Sequence, residues 1–256
     1  MKLLNGKKGV IFGVANSYSI AWAVAQMFHQ HGARLAFNFA TERLEKNVKK
    51  LTESLDGSIT LPCDVSDDEA IKRFFEQLDQ HGFEELDFLI HSVAYAQRED
   101  LGRSFSQTSR EGFRVAHDIS AYSLTAVVQA AGDRLKKQSS VVTMSYLGAE
   151  RVVPNYNVMG VAKSALESSV RYLAAELGDR QIRINAISAG PVNTLSARGI
   201  SEFLDLQKHF AERAPMKRNV TLEEIAGATL FLCSDFSTGI SGEVLHVDNG
   251  FHIMAM

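Results

Sequence analysis

Short apolar runs alternate with stretches of helical periodicity from one end of this chain to the other, and that alternation restricts it to very few folds. Gly9-Val10-Ile11-Phe12 reads as a buried strand. Ile20, Val24, Met27 and Phe28 then recur at i, i+4, i+7 and i+8, one face of a helix that Gly32 ends. Further strands are predicted at 34–39, 59–63, 86–93, 140–145, 182–188 and 243–247, with helices at 42–55, 109–137 and 156–177. Ser66-Asp67-Asp68-Glu69 reads as a capping box opening a helix with Ile71, Phe74, Phe75 and Leu78 on one side. Thr221-Leu222-Glu223-Glu224 caps another that reaches Leu232. Strands apolar on both faces and separated by helices mean a parallel sheet covered on each side. The expectation is an α/β fold with a doubly wound, seven-stranded, Rossmann-like sheet. No linker, composition shift or internal repeat divides the 256 residues, so a single domain over 1–256 is expected.

Composition removes several functions. Net charge is −3 with acids and bases interleaved, so no basic footprint for nucleic acid or anionic membrane exists. Cys63 and Cys233 form no CxxC and read as small buried hydrophobes. The eight histidines hold no HExxH, and His29 and His31, two apart, point to different helix faces, so no metal is expected. No apolar run approaches the ~18 residues of a membrane helix, and Met1–Lys8 lacks the apolar core of a leader. A soluble, cytoplasmic protein is the expectation.

Sheets of this kind bind ligands beyond the carboxyl ends of their strands, where strand order reverses. The loops to read are therefore 13–19, 38–43, 64–66, 92–97, 145–156 and 189–215. Gly13 to Ala21 occupies the place of a dinucleotide phosphate turn, with only Gly13 surviving from GxGxxG. Helix amides there favour an anion, and Ser17 and Ser19 can add hydroxyl donors; a Ser-capped helix after a tight turn fits equally. Segment 38–41 offers no ribose-binding acid, Glu42 is the only nearby carboxylate, and Arg43 and Lys46 suit either a 2′-phosphate or a solvated face. NADH and NADPH both stay open on these grounds. Asp64, before Val65, suits an adenine amino group or the turn preceding a helix.

Tyr156 and Lys163 are seven apart on a predicted helix, which puts them on one face about 10 Å apart along the axis. An ammonium beside a phenol favours the phenolate, so a lowered Tyr156 pKa is expected. Tyr146 ends the fifth strand and faces the same edge. By composition alone these tyrosines would more often be core or interface residues with hydrogen-bonded tips.

Gly13 with Ser19-Ile20-Ala21, then the runs 145–150 (SYLGAE), 155–163 (NYNVMGVAK), 188–191 (SAGP) and 242–248 (GEVLHVD) resemble the bacterial enoyl-acyl-carrier-protein reductases, a divergent branch of the short-chain dehydrogenase/reductases. The resemblance spans nearly the whole chain. Its spacing separates it from ordinary short-chain carbonyl reductases, which carry Tyr-x3-Lys where this chain has Gly160. The resemblance implies hydride transfer from a reduced nicotinamide to the β-carbon of a trans-2-enoyl thioester on acyl carrier protein. Tyr156 would stabilise the enolate, Lys163 would hold the nicotinamide ribose, and Tyr146 would support proton delivery. Cofactor contacts would fall on Gly13, Ser19, Ile20, Asp64, Val65, Val93, Lys163, Val192, Asn193, Thr194, Leu195 and Ser196. Substrate contacts would fall on Ala96, Tyr146, Tyr156 and Phe203. Asn193 stands where many relatives carry a basic residue, and the 40–46 run is more like NADH-using members, with NADPH still possible. Residues 195–215 would form a substrate lid hinged at Gly199, with Ile200, Phe203, Leu204 and Phe210 facing a fatty chain. Arg198, Lys208, Arg213, Lys217 and Arg218 offer an acidic carrier a docking rim or are simply solvated. A homotetramer packed through 109–137 and 156–177 is also implied. The other classes to weigh are a 3-ketoacyl reductase on the same scaffold and a dinucleotide sensor that does not turn over.

Overall fold

In the computed structural model, which describes residues 2–194 and 203–255, the apolar runs become strands. They are β1 (Lys8–Phe12), β2 (Arg34–Phe39), β3 (Ile59–Pro62), β4 (Leu86–His91), β5 (Leu135–Ser145), β6 (Arg183–Ala189) and β7 (Val244–Val247). The helices are α1 (Ile20–Gln30), α2 (Glu42–Thr52), α3 (Asp68–Gln80), α4 (Arg98–Gly102), α5 (Arg110–His117), α6 (Ser123–Ala131), α7 (Asn157–Glu176), α8 (Phe203–Arg213) and α9 (Leu222–Cys233). The strands form one sheet in the order β3-β2-β1-β4-β5-β6-β7, with every pairing parallel.

Side chains alternate across the sheet with period two, so each strand feeds two cores. Val10 and Phe12 of β1 point to the α3, α6 and α7 side, while Ile11 points to α1, α2 and α9. Phe12 meets Phe74 and Phe75 at ring separations of 5.2 and 6.4 Å. Each such pair adds roughly 0.5–1.5 kcal/mol beyond area burial.

Three expectations about elements are corrected. The helix expected over 109–137 is α5, a π-helical turn at 118–122 and α6, ending at Gly132 with φ of +51°. Strand β5 begins at Leu135, five residues before the apolar run. Leu135 is buried and pairs with Leu86, while Lys136, Lys137 and Gln138 are exposed where the register shifts. Ser66 does not cap α3 either. Its hydroxyl and amide both go to Asp64, and Asp67 accepts from the Glu69 amide at 2.9 Å. At α9 the box forms: Thr221 accepts from the Glu224 amide at 3.2 Å, and Glu224 accepts from the Thr221 amide at 2.9 Å.

The order reverses between β1 and β4, whose following loops touch. Gly13 has φ of +99°, and a Cβ there would run into the Ser92 carbonyl. That one glycine is required on both counts.

Candidate active site

The end of β1 is fixed by a residue the sequence reading passed over. Buried Asn38 accepts from the Gly13 amide at 3.1 Å and donates to the Cys63 carbonyl at 2.9 Å, stitching the ends of β1, β2 and β3. Ser19 stands at the N-cap of α1 but caps nothing; its hydroxyl donates to the Asn16 carbonyl at 2.7 Å. The Ser19 hydroxyl is thus engaged within the turn, and no side chain caps α1. The helix N-terminus opens uncapped onto a cavity, the arrangement that suits an anion.

That cavity has a volume of about 500 Å³ and lies beyond the ends of β1, β4, β5 and β6. Tyr146, at the end of β5, and Tyr156, at the start of α7, meet edge to face at 4.9 Å. The chain turns sharply there: Asn155 and Asn157 take φ of +61° and +39°, the region asparagine tolerates best among residues with a side chain. Asn157 then donates to the carbonyls of Leu101 and Arg103 at 2.9 and 2.7 Å, tying α4 beside the site. Two glycines leave room for the Tyr156 ring. A Cβ on Gly148 would strike that ring, and one on Gly160 would sit 2.7 Å from the Gly148 carbonyl. Gly160 is thus a packing requirement, and a lysine at that position has no space.

Lys163 is 4% exposed and donates to the Met144 carbonyl at 2.7 Å. Burial pushes its pKa down to about 8, and the negative charge of Glu167 holds it up. The Tyr156 phenol does not behave as the sequence suggested. Burial drives its pKa well above the ordinary value, with Tyr146 and Glu167 adding to the rise. The lysine is spent on a backbone carbonyl and does not offset this. Tyr146 is raised by burial too, and its hydroxyl is buried without a partner among the described residues. Both phenols are therefore neutral donors over the physiological range.

The cavity gathers Gly13, Ser19, Ile20, Val93, Ala96, Tyr146, Tyr156, Lys163, Val192, Thr194 and Phe203 of the expected site. Asp64 is elsewhere, in a hollow of about 270 Å³ at the ends of β2 and β3 with Ala40, Thr41, Glu42 and Arg73. Its carboxylate accepts from the Ser66 amide at 3.0 Å and hydroxyl at 2.8 Å, so the turn role is filled. Val65 is buried in the core and Asn193 is exposed; neither lines either of these two cavities. Leu195 and Ser196, with the lid residues Arg198, Gly199 and Ile200, lie outside the described residues. Within α8, Phe203 and Phe210 are buried as expected, but Leu204 is 73% exposed. Helical spacing puts Leu206 on the face shared with 203 and 210, and Leu206 lines the cavity instead. Phe210 stacks on Phe251 at 3.6 Å and lies 6.4 Å from the Tyr146 ring. Among the rim cations, Lys208 lies 4.0 Å from Glu212, Lys217 donates to the Glu212 carbonyl and Arg218 pairs with Glu224. Among residues the sequence reading missed, Met144 and Met159 line the cavity, and Glu167, four after Lys163, is the one of these three with a spacing signal. Among the described residues no three His, Cys, Asp or Glu side chains converge to hold a metal ion, and no helix is long and apolar enough to cross a membrane.

Residues 13–252 match the model of the family described as enoyl-(acyl carrier protein) reductase. The chain is 51% identical over 259 residues to the enoyl-acyl-carrier-protein reductase (NADH) of Bacillus subtilis, covering 98% of each. It is 49% identical over 261 residues to that of Bacillus cereus, covering 99% of this chain and 100% of the relative. It superposes with a TM-score of 0.97 on the crystal structure of the Bacillus cereus enoyl-acyl carrier protein reductase with NADP+ and indole naphthyridinone, at 48% identity and full coverage of both chains.

Proposed function

The chain belongs to the enoyl-(acyl carrier protein) reductase family, and we infer that it reduces the carbon–carbon double bond of a trans-2-enoyl thioester with NADH. One observation carries the reading at the level of chemistry: a neutral phenol and a buried ammonium from the same helix open into one largely apolar cavity. A bound reduced nicotinamide supplies the hydride. The residues around the cavity fit that group, since the α1 N-terminus lacks a cap and the Lys163 ammonium has donors beyond the one spent on Met144. Lys163 would hold its ribose hydroxyls, and Ser19, Ile20, Val93, Val192 and Thr194 would line its bed. Asp64 would lie at its adenosine end. Glu42 and Asp64 put two carboxylates in that hollow beside the single cation Arg73, which disfavours a 2′-phosphate and supports NADH.

Negative charge develops on the thioester oxygen as the β-carbon is reduced, and a neutral donor aimed at that oxygen stabilises it. Tyr156 supplies this donor, and the raised phenol pKa keeps its proton in place. The Tyr146 hydroxyl, without a partner among the described residues, would be a second donor to the same site. Ala96, Met159, Phe203 and Leu206 make the walls apolar, which excludes water and suits an acyl chain.

In this reading the thioester is carried on acyl carrier protein, in the cytoplasm. Phe113, Tyr122, Val161 and Tyr172 are exposed on the segments expected to pack a homotetramer, which supports that assembly. Carrier docking would fall chiefly to Arg213, because Lys208, Lys217 and Arg218 are engaged within the chain. The test follows nicotinamide oxidation with crotonyl thioester and then acetoacetyl thioester, using NADH and NADPH in parallel. Rapid turnover of the crotonyl substrate with NADH is expected. Preference for the acetoacetyl substrate would establish the carbonyl reductase alternative, which the steric closure at Gly160 argues against.

A further inference from the structure

Lys163 has a neighbour that the reductase reading leaves unused. Glu167 stands one turn along α7, at i+4 and so on the same helix face. Its side chain is buried, and the Ser145 hydroxyl donates to its Oε1. Ser145 is preceded by Met144, whose carbonyl accepts from Lys163, and followed by Tyr146. Three consecutive residues at one strand end thus carry the lysine's acceptor, the glutamate's donor and the second phenol.

A carboxylate gains nothing from that position by packing, because burial disfavours its charged form. What it contributes is negative charge one helical turn from a buried ammonium. The groups facing Glu167 are Ser145 from β5, Arg171 on its own helix and His246 from β7, all favouring the anion, against Glu150 after β5. The Lys163 charge also reaches His91 of β4, which is buried and neutral at ordinary pH.

We propose that Glu167, fixed by Ser145, is a positioning residue that keeps Lys163 charged and directed at the cofactor's sugar hydroxyls. The proposal rests on the reading of Lys163 as the ribose-holding group. Without the Glu167 charge, burial lowers the lysine further and the neutral amine accumulates near neutral pH.

The experiment titrates NADH against wild type, Glu167→Gln, Ser145→Ala and Lys163→Met by nucleotide fluorescence from pH 6 to 9. KM and kcat with crotonyl thioester are measured alongside, with melting temperature as the folding control. For Glu167→Gln, one unit of lysine shift should raise the NADH dissociation constant about fivefold at pH 8 and about ninefold at pH 9. At pH 6, where the ammonium re-forms, the loss should shrink to about threefold or less. KM for NADH should move more than kcat, and Ser145→Ala should follow in the same direction by a smaller factor. An unchanged affinity, or an equal loss at every pH in folded protein, overturns the proposal. If Glu167→Gln does not fold, Ser145→Ala decides on the same pH criterion. Should wild type reduce no enoyl thioester, or Lys163→Met bind NADH normally, the reading of Lys163 itself fails. Loss of binding in Lys163→Met with an unaffected Glu167→Gln would remove only the Glu167 proposal.

Discussion

Tyr156→Phe removes one hydroxyl from a ring held by neighbours that the substitution leaves in place. Loss of one donor to a developing oxyanion typically costs about 10²–10³ in turnover. Steady-state kinetics should therefore show kcat for crotonyl thioester falling by that factor with NADH affinity retained; full turnover would remove Tyr156 from the role. Gly148→Ala tests the seat of the same ring, since its Cβ would strike Tyr156. Overpacking of this kind costs roughly 1–3 kcal/mol, so a lowered denaturation midpoint should accompany reduced kcat. The interval between Tyr156 and Lys163 was legible because residue type and spacing are written in the chain. Their protonation was not: the lysine's partner is the Met144 carbonyl, and the burial that raises the phenol comes in part from Ala96, Leu101 and Ala116, far away in sequence. Asn38 was invisible for a related reason, its partners Gly13 and Cys63 each being 25 residues away.

At the level of elements, strand and helix order was readable because apolar periodicity survives in every segment that covers the sheet. Boundaries failed where local chemistry competes with the pattern. The start of β5 is hidden behind Lys136-Lys137-Gln138, exposed residues that show neither alternation nor an apolar run. At α3 two residues qualified as cap, and the Asp64 turn claimed Ser66 first. These two caps give a paired prediction. Thr221→Ala and Asp67→Ala should each lower stability by about 1 kcal/mol, whereas Ser66→Ala should leave α3 nearly unchanged. Urea midpoints of the three variants decide it; a loss in Ser66→Ala equal to that in Asp67→Ala would restore the capping box. The Thr221 cap also carries a pH signature. Glu224 is held down to about 2, from 4.5, by Arg218 and the Thr221 backbone. Its contribution is present above pH 4.5 and is lost as pH falls toward 2.

Across the whole molecule, the response to pH is set by groups buried under the cavity. His91 is enclosed between Thr143 Oγ1 at 2.9 Å and Ser123 Oγ at 2.8 Å, joining β4, β5 and α6. Burial, with the nearby Lys163 charge adding, pushes its pKa from 6.5 down to about 3. Between those values the unfolded chain binds a proton that the folded chain refuses, so stability falls as pH drops through this window. At pH 5 the loss from this one residue is about 2 kcal/mol. Glu167 works in the opposite sense, since its raised pKa lets the folded chain take up protons above the unfolded value and offsets part of the loss. Lys163, lowered from 10.5 to about 8, adds a separate rise in stability as pH climbs between those limits. Urea denaturation at pH 5 and 7 should therefore show stability lower at the acid end, while above pH 8 the thiols of Cys63 and Cys233, which burial raises from 9 to about 12, oppose the lysine. His91→Asn, though less stable at neutral pH, should lose about 2 kcal/mol less than wild type between pH 7 and 5. If both proteins lose the same amount, the acid sensitivity belongs to the carboxylates and not to the histidine beneath the site.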